Sequence, residues 1–211
     1  MIKTQGGLEM KIACYASGSV GTNCYVVSDD AGVTAIIDCD GNPAPLFSYI
    51  EKNELKPTHI LLTHGHFDHI GSVNEVAEKY GCTIVGCAKE MRVFTDASVN
   101  CSAFCGGAVT VYPDVQVNDG DVVKVGDMEF RVMLTPGHTE GSVCYISGSV
   151  MFSGDTLFQG SCGRTDLETG NWSDILKSLK KLAALPGDYQ VYPGHGPSTT
   201  MEIERKTNPY M

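Results

Sequence analysis

Hydrophobic and polar positions alternate in short blocks along the 211-residue chain. Residues 10–15, 24–28 and 33–38 are β-prone runs, parted by the turn signals Gly18-Ser19 and Asp29-Asp30-Ala31-Gly32, which predicts successive antiparallel strands. Residues 46–53 predict a short helix with Leu46 and Ile50 facing inward. Residues 58–63 form a compact apolar run, expected to be a strand buried on both faces, and it ends abruptly in a histidine-rich loop. Ser72 is placed to cap a helix running to Tyr80, with Glu75 completing a capping box and Gly81 at the far end. Residues 82–87 predict the next strand and 88–94 a second short helix. Residues 95–113 show no clear period and read as a long surface excursion.

From residue 115 the pattern returns to β, with strands predicted over 122–125, 128–134, 143–147 and 150–153. Asp119-Gly120-Asp121, Val125-Gly126-Asp127 and Ser147-Gly148-Ser149 punctuate them as hairpin-type turns. Residues 171–185 carry the strongest helical pattern, with Trp172, Ile175, Leu176, Leu179, Leu182 and Leu185 on one stripe. Pro186-Gly187 stops it, and residues 190–192 make a last short strand. There is no Pro/Ser-rich linker and no short-period repeat. One domain over residues 1–211, of α/β class with a two-sheet core and helices outside, fits this order.

Composition narrows the picture. The chain is 42% hydrophobic and 19% charged, an ordinary balance for a globular protein rather than a disordered one. Fifteen Lys and Arg against twenty-five Asp and Glu give a net charge of −10, which argues against a basic nucleic-acid-binding face. No run approaches the roughly 20 apolar residues a membrane span needs, and MIKTQGGLEM has no apolar signal core. Nine cysteines, an odd count, do not suit a disulfide scaffold, so a cytoplasmic protein with mostly free thiols is expected. Cys82, Cys87, Cys101 and Cys105 lack a CxxC pair and are expected to be small buried hydrophobes.

Candidate chemistry concentrates in the histidines. Three of the six, with an aspartate, lie in His64-Gly65-His66-Phe67-Asp68-His69, directly after an apolar strand. Imidazoles and a carboxylate are the ligands that suit zinc, iron and related divalent ions. Within one turn-rich loop, His64 and His66 can point one way and Asp68 and His69 another, a spacing suited to two neighbouring metals. His138, after Pro136-Gly137, and His195, in Pro193-Gly194-His195-Gly196, also follow apolar strands, as does Asp155 after Ser153-Gly154. Four segments thus offer seven ligands. His59 is read as packed or partly exposed rather than ligating. Arg164 and Asp166 are read as a local ion pair, with Arg164 alternatively available to a substrate carboxylate.

The segment Thr63-His64-Gly65-His66-Phe67-Asp68-His69 resembles the HxHxDH loop of the metallo-β-lactamase superfamily. Thr135-Pro136-Gly137-His138, Ser153-Gly154-Asp155 and Pro193-Gly194-His195-Gly196 match the remaining motifs in order, over nearly the whole chain. The resemblance implies a four-layer αββα sandwich with metals at one edge of the sheets. It implies His64, His66 and His138 as ligands of the first metal and Asp68, His69 and His195 as ligands of the second, with Asp155 bridging. Asp155, His66 and His69 resemble the glyoxalase II type, and the tail from Gly194 to Tyr210 resembles its short, single-domain branch. The long enzymes of that type carry a C-terminal helical domain that helps bind glutathione, which has no counterpart in these residues.

What the resemblance implies is a metal-dependent hydrolase that cleaves a small-molecule thioester through a metal-bridging hydroxide, with Asp68 as ligand and orienting group. Two divalent ions are expected, zinc first, with iron or manganese as alternatives. His64, His138 and Asp155 also make a two-His-one-carboxylate set suited to non-haem iron, and Ser161-Cys162-Gly163-Arg164-Thr165-Asp166 resembles a segment of persulfide dioxygenases. A mononuclear-iron persulfide dioxygenase is therefore the alternative enzyme, and a non-catalytic metal-binding protein the alternative of another class. Neither nucleic acid nor membrane is expected as a partner. The oligomeric state is not encoded in any pattern along the chain.

Overall fold

Residues 2–3, 9–105 and 107–211 are described by a computed structural model of the chain. The expectation about an N-terminal signal bears on residues 1 and 4–8, which lie outside the described residues. The first sheet runs in sequence order: β1 (Ile2–Lys3), β2 (Glu9–Ser17), β3 (Thr22–Ser28), β4 (Val33–Ile37), β5 (Lys56–Leu61), β6 (Thr83–Cys87) and β7 (Val115–Val117). Strands β1 to β4 pair antiparallel, with tight turns joining β2 to β3 and β3 to β4, whereas β4 to β7 pair parallel. A parallel pair needs a crossover. Helix α1 (Ala44–Lys52), then α2 (Phe67–Ile70) with α3 (Val73–Tyr80), then α4 (Met91–Thr95) supply the three crossovers.

The second sheet is built from the following half of the chain. Its strands are β8 (Val122–Val125), β9 (Met128–Leu134), β10 (Val143–Ser147), β11 (Val150–Gly154), β14 (Gln190–Pro193) and β15 (Thr199–Thr200), in the order β15-β14-β11-β10-β9-β8. A separate two-stranded ribbon, β12 (Leu157–Phe158) with β13 (Ser161–Cys162), follows β11. Helix α5 (Trp172–Ala183) crosses over between the parallel strands β11 and β14, and α6 (Met201–Thr207) follows β15.

Alternation within the strands explains the layering. Ile37, Leu61 and Val85 face Phe130, Tyr145 and Phe152 in the core between the sheets. Their neighbours Ile36, Ile60 and Ile84 point to the opposite face and pack on Leu46, Ile50, Val73, Val76 and Phe94 from the helices. In the second sheet Cys144, Ile146, Met151 and Val191 pack outward on Ile175, Leu179 and Leu182 of α5 and Met201 of α6. Both faces of the central strands are thus buried, which is why they read as continuous apolar runs. The result is the αββα sandwich, an α/β fold. No described helix is long and apolar enough to cross a membrane.

Several local expectations are corrected. The capping box at α3 does not form: Ser72 occupies the N-cap but its hydroxyl donates to the Gly41 carbonyl instead. Residues 88–94 divide into a 3₁₀ turn over Ala88–Glu90 and the short α4. Thr58 and His59 are only half-buried, so β5 is not covered on both faces along its whole length. Asp119-Gly120-Asp121 is not a hairpin turn, because β7 and β8 belong to different sheets. Trp172 is 49% exposed rather than inward; it opens α5 and meets the Tyr210 ring edge-on. The 95–113 segment buries Val99, Asn100 and Val111 and is not purely a surface excursion. Helix α6 has no counterpart in the hydrophobic pattern. Its signals are a Thr200 N-cap accepting from Ile203 N–H, with Glu202 and Glu204 in the first turn.

Candidate metal centre

Each candidate ligand stands where a buried strand meets a loop. β5 feeds His64 and His66, and the short α2 carries Asp68 and His69 on its single turn. His138 follows β9, Asp155 follows β11 and His195 follows β14, all from the second sheet. The two sheets are tied together beside them. Asn23 N–H donates to the Gly194 carbonyl (2.7 Å), and its side-chain amide donates to Pro193 and Gly196 (2.9 Å each). The Tyr25 hydroxyl donates to the Pro193 carbonyl at 2.6 Å. His195 is therefore delivered against the first sheet.

The seven groups converge. One ligand atom from each of His64, His66 and His138 lies within 4.8 Å of the others, and the same holds for His64, His69 and Asp155 and for Asp68, His69 and His195. Asp155 sits between the groups: Oδ1 is 3.4 Å from His69 Nε2, and Oδ2 is 3.5 Å from both His138 Nε2 and His195 Nε2. His195 Nε2 is also 3.1 Å from Asp68 Oδ2. Six of the seven are buried; His195 is partly open. Space for the Asp155 carboxylate depends on Gly194, where a Cβ would fall 2.1 Å from Oδ1.

Three of the Nδ1 atoms are committed elsewhere, whereas His66 Nδ1 faces His138 Nε2 inside the cluster at 2.8 Å. His138 Nδ1 donates to the Arg164 carbonyl (2.7 Å), which can only accept. His69 Nδ1 donates to Asp38 Oδ2 at 2.8 Å. The Thr63 hydroxyl donates to the same Asp38 oxygen (2.7 Å), which leaves it to accept from His64 Nδ1 at 3.1 Å. In all three rings Nε2 is the atom left to face the site. Asp68 is held by the Thr22 hydroxyl, 2.8 Å from Oδ2.

Electrostatics divide the imidazoles. Burial, reinforced by neighbouring imidazoles, drives His64 well below the ordinary histidine value and takes His66 down to about 3. Burial lowers His138 as well. It acts the same way on His69 and His195, but in those two it is outweighed by carboxylates, above all Asp68 and Asp155, and both are raised. Burial disfavours the ionised Asp68 and Asp155, yet the adjacent His69 and His195 hold both below the usual carboxylate range.

Beside this cluster opens a cavity of about 460 Å³. Val20, Phe67, Phe158 and Leu167 give it an apolar wall, Cys101 and Cys162 line it, and Arg164 stands at its edge. The exposed Arg164 guanidinium is engaged bidentately by Asp166 at 2.7 Å, the expected local ion pair. His59 lies away from the cluster, with Nδ1 2.9 Å from the Thr58 hydroxyl. All nine cysteines are free thiols; Cys82 and Cys87 are buried as expected, but Cys101 is only partly buried and Cys105 is exposed. Sequence reasoning missed Asp38, Thr22 and Glu90. For Asp38 a signal existed, because it ends the apolar strand β4 just as Asp155 ends β11.

Comparison with known proteins identifies the family. The chain is 39% identical to a probable metallo-hydrolase, YqgX, of Bacillus subtilis over 92% of this chain and 94% of that one. It is 34% identical to the hydroxyacylglutathione hydrolase GloC of Haemophilus influenzae, over 90% and 92%. Among solved structures it is similar to the BLEG-1 B3 metallo-beta-lactamase (TM-score 0.89, 36% identity, 95% of this chain and 99% of that one). It is also similar to TTHA1623 in a di-iron-bound form (0.84, 32%, 94% and 100%) and to ETHE1 from Myxococcus xanthus (0.80, 30%, 94% and 83%). The profile of the Metallo-beta-lactamase superfamily matches residues 18–195, and it is to this superfamily that the chain belongs.

Proposed function

We propose that the chain is a binuclear metal-dependent hydrolase that cleaves a thioester, with His64, His66, His138, Asp68, His69, His195 and Asp155 as its metal ligands. One observation carries the reading. His64 Nε2, His69 Nε2 and Asp155 Oδ1 are buried together without any hydrogen-bond partner, while His66 Nδ1 faces His138 Nε2 at 2.8 Å, and leaving such atoms bare in one place costs free energy unless a cation satisfies them. The donor set, nitrogen and carboxylate oxygen, fits zinc, iron or manganese alike. When bound, a pair of such ions supplies a water deprotonated near neutral pH and an electrophile for a carbonyl oxygen.

The chain's own groups bind, orient and exclude. Asp155, 3.4 Å from a nitrogen of His69 and 3.5 Å from one of His138, would help to hold an ion at either histidine group. Thr22 fixes the Asp68 rotamer, and Asp68 is assigned orientation of the attacking water besides ligation. The cavity thiols of Cys101 and Cys162 are raised by burial and stay protonated, so neither is an activated nucleophile. A thiol leaving group, with an ordinary value near 8.5, departs without a general acid, whereas an amine does not. That favours a thioester over an amide, and the likeness to GloC supports the same class.

The test is metal analysis of protein purified without added metal, followed by a panel of acyl-thioesters. Two ions per chain with thioester turnover are expected, and His66→Ala and Asp155→Ala each lose metal and rate. One iron per chain with oxygen uptake on glutathione persulfide would instead establish the dioxygenase reading, which uses His64, His138 and Asp155. A fully loaded protein that turns over neither substrate would leave metal binding without catalysis.

A further inference from the structure

Glu90 is a fully buried carboxylate that the proposed chemistry does not use. It ends the 3₁₀ turn that follows β6. Its Oε1 accepts from Gly65 N–H at 2.9 Å, and its Oε2 accepts from Gly141 N–H at 2.8 Å. Gly65 lies between His64 and His66, on the loop leaving the first sheet. Gly141 lies three residues after His138, on the loop leaving the second. One carboxylate thus joins two histidine-bearing loops that are otherwise more than seventy residues apart in sequence. The approach is tight, since a Cβ on Gly141 would sit 2.5 Å from the Glu90 backbone nitrogen.

We propose that Glu90 is a positioning residue that clamps the 64–66 and 138–141 loops together and so sets the spacing of His64, His66 and His138. Packing alone does not account for it. None of its hydrogen-bond partners is a cation: burial pushes its carboxyl up to about 7 and nearby Glu140 adds to that, while the two N–H groups and the Thr139 hydroxyl pull the other way. An ionised group buried without a counter-ion is expensive, and a neutral side chain of the same size would fill the space at lower cost. What no neutral side chain supplies is two acceptor oxygens on one rigid plane, one for each loop. The inference rests on the reading that the three imidazoles hold an ion.

The test is Glu90→Gln, whose amide offers one acceptor where two N–H groups need one each. Metal-free wild type and variant are titrated with Zn²⁺ alone by calorimetry, and the thermal unfolding of both metal-free proteins is recorded alongside. Wild type should take two ions. The variant should take one with unchanged affinity and the other about tenfold to a hundredfold more weakly, the range typical when a group orienting metal ligands is lost. In a His66→Ala background the same change should not weaken the remaining ion further. Unchanged binding of both ions overturns the proposal. Equal weakening of both also overturns it, since a general loss of structure, seen as a lower melting point of the metal-free variant, would produce that pattern. If Glu90→Gln does not fold, Glu90→Asp gives the same readout: it keeps the charge but is one methylene too short to reach both loops. A wild-type chain that takes up no Zn²⁺ refutes the metal-centre reading itself, a result distinct from these.

Discussion

Asp38 offers the sharpest quantitative test of how the centre is held. It is 2% exposed and accepts three hydrogen bonds: Thr63 N–H on Oδ1 (2.8 Å), and the Thr63 hydroxyl (2.7 Å) and His69 Nδ1–H (2.8 Å) on Oδ2. Asn at this position keeps the shape but has a single acceptor oxygen. With that oxygen in the Oδ2 place, the amide NH₂ confronts the Thr63 N–H and leaves a buried backbone donor unpaired, at a cost of about 1–3 kcal/mol. The bond to His69 also loses its charge, and a charged hydrogen bond contributes about 1.5–3 kcal/mol against roughly 1 for a neutral one. The sum is a destabilisation of about 3 kcal/mol, or a drop of about 6–12 °C in melting temperature for a domain this size. Asp38→Asn should be compared with wild type by urea unfolding of the metal-free proteins, so that metal affinity does not enter the measured stability. A midpoint shift worth less than about 0.5 kcal/mol at unchanged slope would refute the account of Asp38 as the buried anchor of Thr63 and His69.

The pH behaviour of metal loading should split between the two groups. His69 and His195 are raised by their aspartates, so they hold a proton to higher pH than His64 and His66, and that proton must leave before Nε2 can ligate. Affinity of the Asp68–His69–His195 group should therefore rise with pH. His64 and His66, both lowered, are already neutral. Calorimetry at pH 7 in two buffers of different ionisation heat should show proton release with one ion only; no release in either step would contradict the assignment. Gly194→Ala, which drives a Cβ into Asp155 Oδ1 and against His69 Cε1, should lower bound metal below half of the wild-type content by elemental analysis. Leu179→Ala, fully buried in the α5 layer, should cost about 2–5 kcal/mol by urea unfolding. Trp172→Ala, at a half-exposed position with one aromatic edge contact, should cost only about 0.5–1.5 kcal/mol.

Most of the strands were legible because their apolar runs are bounded by turn residues, and the histidine loop was legible because four ligands fall within six positions. The groups that orient those ligands were harder to see. Thr22 reaches Asp68 across 46 residues, Asp38 reaches Thr63 and His69 across 25 and 31, and Glu90 reaches Gly141 across 51. A lone Thr, Asp or Glu has no local period, so only tertiary contact gives it a task. Trp172 shows the converse limit. Helical spacing puts it on the apolar stripe, but it is the first residue of α5, beyond the strands that cover Ile175 and Leu179. Ser72 has the cap sequence, yet the Gly41 carbonyl competes for its hydroxyl.

The two sheets are consecutive in the chain, and the described backbone passes between them once, over residues 118–121. Four of the seven candidate ligands precede that passage and three follow it. A proteolytic nick there would leave two complementary fragments, each with a bare apolar face and an incomplete coordination set. The cations would then act as a staple between separate pieces, so that chelation of a nicked chain would lower the affinity of its fragments for each other as well as its activity. Gel filtration of the nicked protein with and without chelator measures that coupling directly.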